Sequence, residues 1–201
     1  MIADACVHAI GITAGVVATA ALLALAGPKL SPLAITSIAV YGATMVAMLV
    51  FSAGYNLIPV AAWKGVLRRC DQAAIFIKIA GTYTPFALAK MGGTWGYTLL
   101  ALVWLVALLG GGAKLILGES FEKLSIALYL ALGWIGLLFL QPLIAAVPSE
   151  SLLLLALGGL AYTCGVAFHV WDSLPYQNVI WHLFVLGGTA LHFAAVATAM
   201  T

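Results

Sequence analysis

Charged residues are what this sequence has least of. Eight basic and six acidic side chains, 7% of 201 residues, are too few to cover the surface of a soluble domain of this size, which usually carries about 25% charged residues. The shortage excludes a water-exposed globule and makes lipid the expected solvent, as does the mean hydropathy of +1.17. No stretch is polar enough to serve as a linker or a second domain, so one domain over residues 1–201 is expected. Cysteine is scarce too. Cys6, Cys70 and Cys164 are odd in number and lack metal spacing, so they read as small free thiols. The first apolar run has no preceding Lys or Arg and is too long for a signal peptide, and it reads as a retained span. A net charge of +2 gives no reason to expect nucleic acid as a partner.

What is present is apolar length. A helical span needs about 20 mostly apolar residues, and seven such stretches run over 5–26, 34–55, 72–90, 95–113, 124–145, 151–170 and 179–199. In lipid the backbone must satisfy its own hydrogen bonds, and a barrel would need alternating polarity, so the expectation is an all-α bundle of seven transmembrane helices. Turn residues fall between the stretches at Gly27-Pro28, Ser31-Pro32, Met91-Gly92-Gly93, Val147-Pro148-Ser149 and Ser173-Leu174-Pro175. Gly110-Gly111-Gly112 closes the fourth stretch and reads as a close-packing run.

The basic residues orient the bundle. Lys64, Arg68, Arg69, Lys114 and Lys123 fall on the side of the N-terminus, against Lys29 and Lys90 opposite, which puts the N-terminus in the cytosol. Lys78 lies within the third span. There it is expected to reach the cytosolic rim or to pair with Asp71 or another acceptor.

With that orientation, polar residues collect at the cytosolic helix ends. They are Asp4 and His8 on span one, Ser52 and Asn56 on span two, Asp71 on span three, and Asn178 and His182 on span seven. Three of these pairs are spaced i, i+4 and so share a helix face. Polar groups within a span normally face the bundle interior and mark a functional site, so a cytosol-facing polar cavity is expected. His169 and His192 stand alone in the sequence and read as satisfied interfacial side chains.

Two segments carry a resemblance. Leu67-Arg68-Arg69-Cys70-Asp71 leads into Ile79-Ala80-Gly81-Thr82-Tyr83-Thr84-Pro85-Phe86, and far downstream comes Ile180-Trp181-His182-Leu183-Phe184-Val185-Leu186. These resemble the bacterial hemolysin III proteins, within the progestin and adipoQ receptor superfamily, and the likeness extends over essentially the whole chain. It implies a seven-helix core with a cytosolic N-terminus. It also implies three motifs: Asn-x3-His, Ser-x3-His followed by Asp, and His-x3-His. In that pattern the second-motif His and both third-motif His hold zinc, and the Asp holds a zinc-bound water. Here the positions read Asp4 and His8, then Ser52, Asn56 and Asp71, then Asn178 and His182. His182 is the one residual ligand position. An amide oxygen is a poor zinc ligand, so the site reads as degenerate and no resident cofactor is expected.

Two functions compete at this point. One is a membrane protein that binds lipid, such as a ceramide-like or fatty-acid ligand, and acts in membrane homeostasis in the bacterial cytoplasmic membrane. The other is a zinc-dependent lipid amide hydrolase of the ceramidase-like kind, with Asp71 as base, Ser52 beside it and His182 as ligand. A channel fares worse, because the polar groups do not continue to the outer side, and no internal repeat of the transporter type is visible.

Overall fold

The computed structural model describes residues 2–201, the side chains from Ala3 onward. Among the described residues the chain is helical and contains no strand: α1 Ile2–Ala26, α2 Pro32–Leu57, α3 Ala61–Thr84, α4 Gly93–Leu117, α5 Glu122–Gly133, α6 Leu140–Ala146, α7 Ser149–His169 and α8 Gln177–Met200. Consecutive long helices pack side by side, α1 on α2, α2 on α3, α3 on α4 and α7 on α8, and α8 also returns against α1.

Local chemistry explains most of the boundaries. Ser31 caps α2, its Oγ accepting from the Ala34 N–H at 3.3 Å, with Pro32 in the first turn. Pro59 follows the end of α2 and disfavours helical geometry at Ile58. In α3, Pro85 lacks the N–H that would continue the ladder, and the helix widens into π geometry over Pro85–Met91. Gly92 and Gly93 then stop it at φ of 55° and 53°, where side chains are strained.

Three details depart from the sequence expectation. The third helix begins at Ala61 and not at 72, so Lys64, Arg68 and Arg69 lie on α3 itself. Lys114 belongs to the last turn of α4, where it is fully buried and paired with Glu122 at 3.2 Å. The stretch read as one span over 124–145 is interrupted. Pro142 cannot donate to the ladder and crowds the carbonyl four residues back, and Ile135–Phe139 takes 3-10 geometry. Tyr83 repairs the break. Its hydroxyl donates to the Gly133 carbonyl at 2.6 Å and accepts from the Gly136 N–H at 3.1 Å, the internal satisfaction that lipid demands.

Among the described residues five segments are long and apolar enough to cross a membrane: Ala3–Lys29, Pro32–Leu57, Gly93–Ala146, Ser149–His169 and Gln177–Met200. Large apolar side chains also face outward, Leu25 at 78% exposure and Leu138 at 77%. A water-exposed protein rarely tolerates so extensive an apolar surface. Inside, small residues let helices touch. A Cβ on Gly110 would sit 2.6 Å from the Phe76 ring, so the glycine run in α4 is a contact surface for α3.

Candidate functional site

The helices enclose a cavity of about 1030 Å³, at the upper end of the size range of small-molecule sites. Its walls are mainly apolar, among them Ile75, Ile79, Leu143 and Leu152. Polar groups gather at two ends.

The first end, the mouth, forms where α1 and α8 begin and α2 finishes, and the exposed Asp172 and Asn178 rim it. Asp4 and His8 are one turn apart on α1. The His8 Nδ1–H donates to the Asp4 carbonyl at 2.8 Å, and the His182 Nδ1–H donates to Asp4 Oδ1 at 2.7 Å. Both rings then aim Nε2 at one hydroxyl: Ser52 Oγ lies 3.1 Å from His8 and 3.5 Å from His182. The rings meet edge-on with centroids 4.5 Å apart, and both histidines are buried. The proton count in this ring is uneven. A carbonyl and a carboxylate only accept, so each neutral imidazole keeps its proton on Nδ1 and offers a lone pair at Nε2. Ser52 has one proton to give, so one of the two lone pairs lacks a donor.

The other sequence-derived residues line the same cavity without joining that ring. Asp71, half-buried on α3, is within interaction range of the Ser52 hydroxyl. The Asn56 Nδ2–H donates to the Ser52 carbonyl at 2.9 Å, which turns its amide onto its own helix. Asn178 lies at the exposed edge.

The zinc implied by the family resemblance does not fit its three expected positions. Asn56 and Asn178 offer no ligand nitrogen, and the Asn56 amide is engaged with the backbone. No hydrolytic step through such an ion is derived. A different trio, Asp4, His8 and His182, brings its ligand atoms within 4.8 Å of one another. The sequence places His8 near the site and allows it to move in as a ligand without requiring it.

The second polar end was not legible as a cluster. Of the alternatives expected for it, Lys78 meets another acceptor, His192, and neither the rim nor Asp71. It is 2% exposed, with Nζ 3.4 Å from His192 Nδ1 and 4.3 Å from the centre of the Tyr162 ring. His192 is thus the neighbour of the buried lysine and not an isolated interfacial residue. Tyr162 in turn shares a hydrogen bond of 2.6 Å with Thr189. Lys78, Tyr162 and His192 lie on three different helices, so periodicity alone gives no sign of the group. A charged network at the first end also went unread: Arg68 of α3 and Lys114 of α4 both bond Glu122, at 3.1 and 3.2 Å, and so fasten α3, α4 and α5 together.

Comparison with known proteins agrees with the sequence resemblance. The family model described as "Haemolysin-III related" matches residues 2–193. The chain is 37% identical to "Hemolysin-3 homolog" of Bacillus subtilis (strain 168), covering 97% of this chain and 92% of the relative. It is 35% identical to "Hemolysin-3" of Bacillus cereus, covering 97% and 89%. Human "Monocyte to macrophage differentiation factor" is 27% identical over 78% of this chain and 67% of its own length. No solved structure matches the chain significantly. With its apolar helices it is an integral, multi-pass membrane protein, and it belongs to the haemolysin III family, within the progestin and adipoQ receptor superfamily.

Proposed function

We propose that the chain crosses the bilayer seven times from a cytosolic N-terminus and binds a lipid within its bundle, acting in membrane homeostasis in the bacterial cytoplasmic membrane. α3, extended by its π turn, is the third crossing despite its charges. The 54-residue segment Gly93–Ala146 supplies two more, since at 1.5 Å per residue it is more than twice as long as the roughly 30 Å hydrocarbon layer. The orientation rests on Lys64, Arg68, Arg69, Lys114 and Lys123 gathering at the N-terminal side. The observation that carries the function is the 1030 Å³ cavity with apolar walls and polar ends, a shape suited to an amphiphile. Purified protein analysed by native mass spectrometry should retain a lipid that survives detergent exchange. Recovery of only lipid-free protein, with no uptake of added single-chain lipid, would remove the reading.

A second reading concerns a metal, and the unmatched Nε2 lone pair favours it. We infer that the chain purifies with far less than one zinc per molecule, because two family positions are amides, but takes up added zinc at His8 and His182. In that arrangement Asp4 orients the His182 ring through Nδ1, as carboxylates commonly do for metal-binding histidines. Calorimetric titration of zinc into the native chain tests this. The absence of binding heat would leave the trio as a hydrogen-bond network only. The amide-hydrolase alternative depends on the three-histidine arrangement and is not favoured here.

A further inference from the structure

Among the described residues two lysines are buried, and only one of the two has a counter-charge. Lys114 is fully buried and has Glu122 at 3.2 Å. Lys78 is 2% exposed and, among the described residues, has no carboxylate in salt-bridge contact. Its Nζ donates to His192 Nδ1 over a long 3.4 Å. That nitrogen is free to accept, because Nε2 of the same ring donates to the Leu155 carbonyl at 3.3 Å. The Tyr162 ring supplies a cation–π face at 4.3 Å. An ammonium has three donors, and one is occupied. Buried charges are rarely left without a partner, and a group of this length with no role would be better replaced by an apolar side chain.

The surroundings indicate what completes the set. Lys78, Tyr162 and His192 all line the cavity, so the partner can come from within it. Lys78 lies seven residues beyond Asp71 on α3, roughly 10 Å along the axis. The mouth therefore carries Asp4 and Asp71, while its cations Arg68 and Lys114 are already paired with Glu122 and Lys123 is exposed, and the inner end carries the buried, unmatched cation. Ile75 lies between Asp71 and Lys78 on α3, and the apolar lining continues past Lys78 to Ile79, Phe86, Leu143 and Leu152.

We propose that Lys78 anchors the anionic oxygen headgroup of a single-chain lipid, a fatty-acid carboxylate or a monoacyl phosphate, lodged in this cavity. Two oxygens of such a group take the two free N–H donors of Lys78, and the acyl chain lies along the apolar walls. The inference rests on the lipid-binding reading above and adds to it the charge and the position of the headgroup.

The test uses the full chain in nanodiscs and three probes of equal chain length: palmitate, hexadecanol and hexadecyl phosphate. In the native protein at least one anionic probe should bind about tenfold or more tighter than hexadecanol, as expected for one added charge-paired contact. The tighter of the two anions identifies the headgroup. Lys78→Met should lower the anion to the level of the alcohol and leave alcohol binding unchanged, and Lys78→Arg should keep the preference. Equal affinity for all three probes in the native chain would overturn the inference while sparing lipid binding, and this comparison needs no variant. A preference that persists in Lys78→Met would also overturn it. Failure of every probe to bind would overturn the lipid reading and the inference with it.

Discussion

At the mouth of the cavity, Asp4, His8, Ser52 and His182 answer one another in a closed ring contributed by three helices, whereas at the inner end Lys78 has only a long contact to His192 and the face of Tyr162. Both ends are buried and polar. The mouth holds excess lone pairs and carboxylates and is suited to a cation. The inner end holds excess donors and is suited to an anion. The comparison shows that one cavity in a membrane bundle can present opposite electrostatic demands at two levels, provided helix length separates them. His182 and His192 are ten residues apart on α8, about 15 Å along the axis.

The sharpest way to break this comparison is to change one end and read both. Asn56→His combined with Asn178→His should supply two more imidazoles beside His182, in the three-nitrogen arrangement that leaves a fourth position open. We expect zinc affinity to rise by roughly a hundredfold or more, in line with the 10–100-fold losses that removal of even supporting groups produces, with anion preference at Lys78 unchanged. Elemental analysis and the probe titration together check it. A shift in both readouts would mean that the two ends are not separate sites.

Smaller effects refine the picture. His8→Ala should weaken uptake of added zinc about tenfold, by removal of one of two imidazoles, an affinity change of about 1.4 kcal/mol; unchanged binding would exclude His8 as a ligand. Lys78→Met should raise the stability of the lipid-free protein by about 1 kcal/mol, since replacing an imperfectly compensated buried charge with an apolar group of similar length is often stabilising. Unfolding in graded SDS measures it, and a large loss of stability would show that Lys78 is structural. The smallest change is Tyr162→Phe. It breaks the 2.6 Å bond to Thr189 but keeps the ring face, so anion affinity should fall about two- to threefold, in keeping with one hydrogen bond of modest net worth.

The difference between the two ends also explains what could be read from sequence. The mouth was legible because its residues come as i, i+4 pairs, Asp4 with His8, Ser52 with Asn56 and Asn178 with His182, so periodicity alone put each pair on one face. The role of His8 was not, since its contact with His182 spans the whole chain. Lys78 and His192 are 114 residues apart and neither has an ionisable partner at i, i+4 on its own helix. Only the tertiary fold unites them, with the Lys78 side chain reaching across the cavity to α7 and α8. The apolar runs were visible from hydropathy, whereas the interruption between α5 and α6 was not, because Pro142 acts on backbone four residues upstream and Tyr83 on a distant helix hides the cost. The first three turns of α3 are not visible in the sequence, because charge in a helix outside the hydrocarbon layer looks the same, by composition, as charge in a turn.

The central claim is that this bundle holds a lipid inside and not only around it. A photoreactive palmitate carried in the nanodisc bilayer, crosslinked to the native chain and mapped by peptide mass spectrometry, addresses that claim most directly. The account predicts labelling of cavity-lining residues such as Ile79, Leu143 and Leu152, competed by unlabelled palmitate and lost when Lys78 is replaced by Met. Labelling confined to outward-facing residues such as Leu25 and Leu138, insensitive to both competitor and substitution, would contradict it.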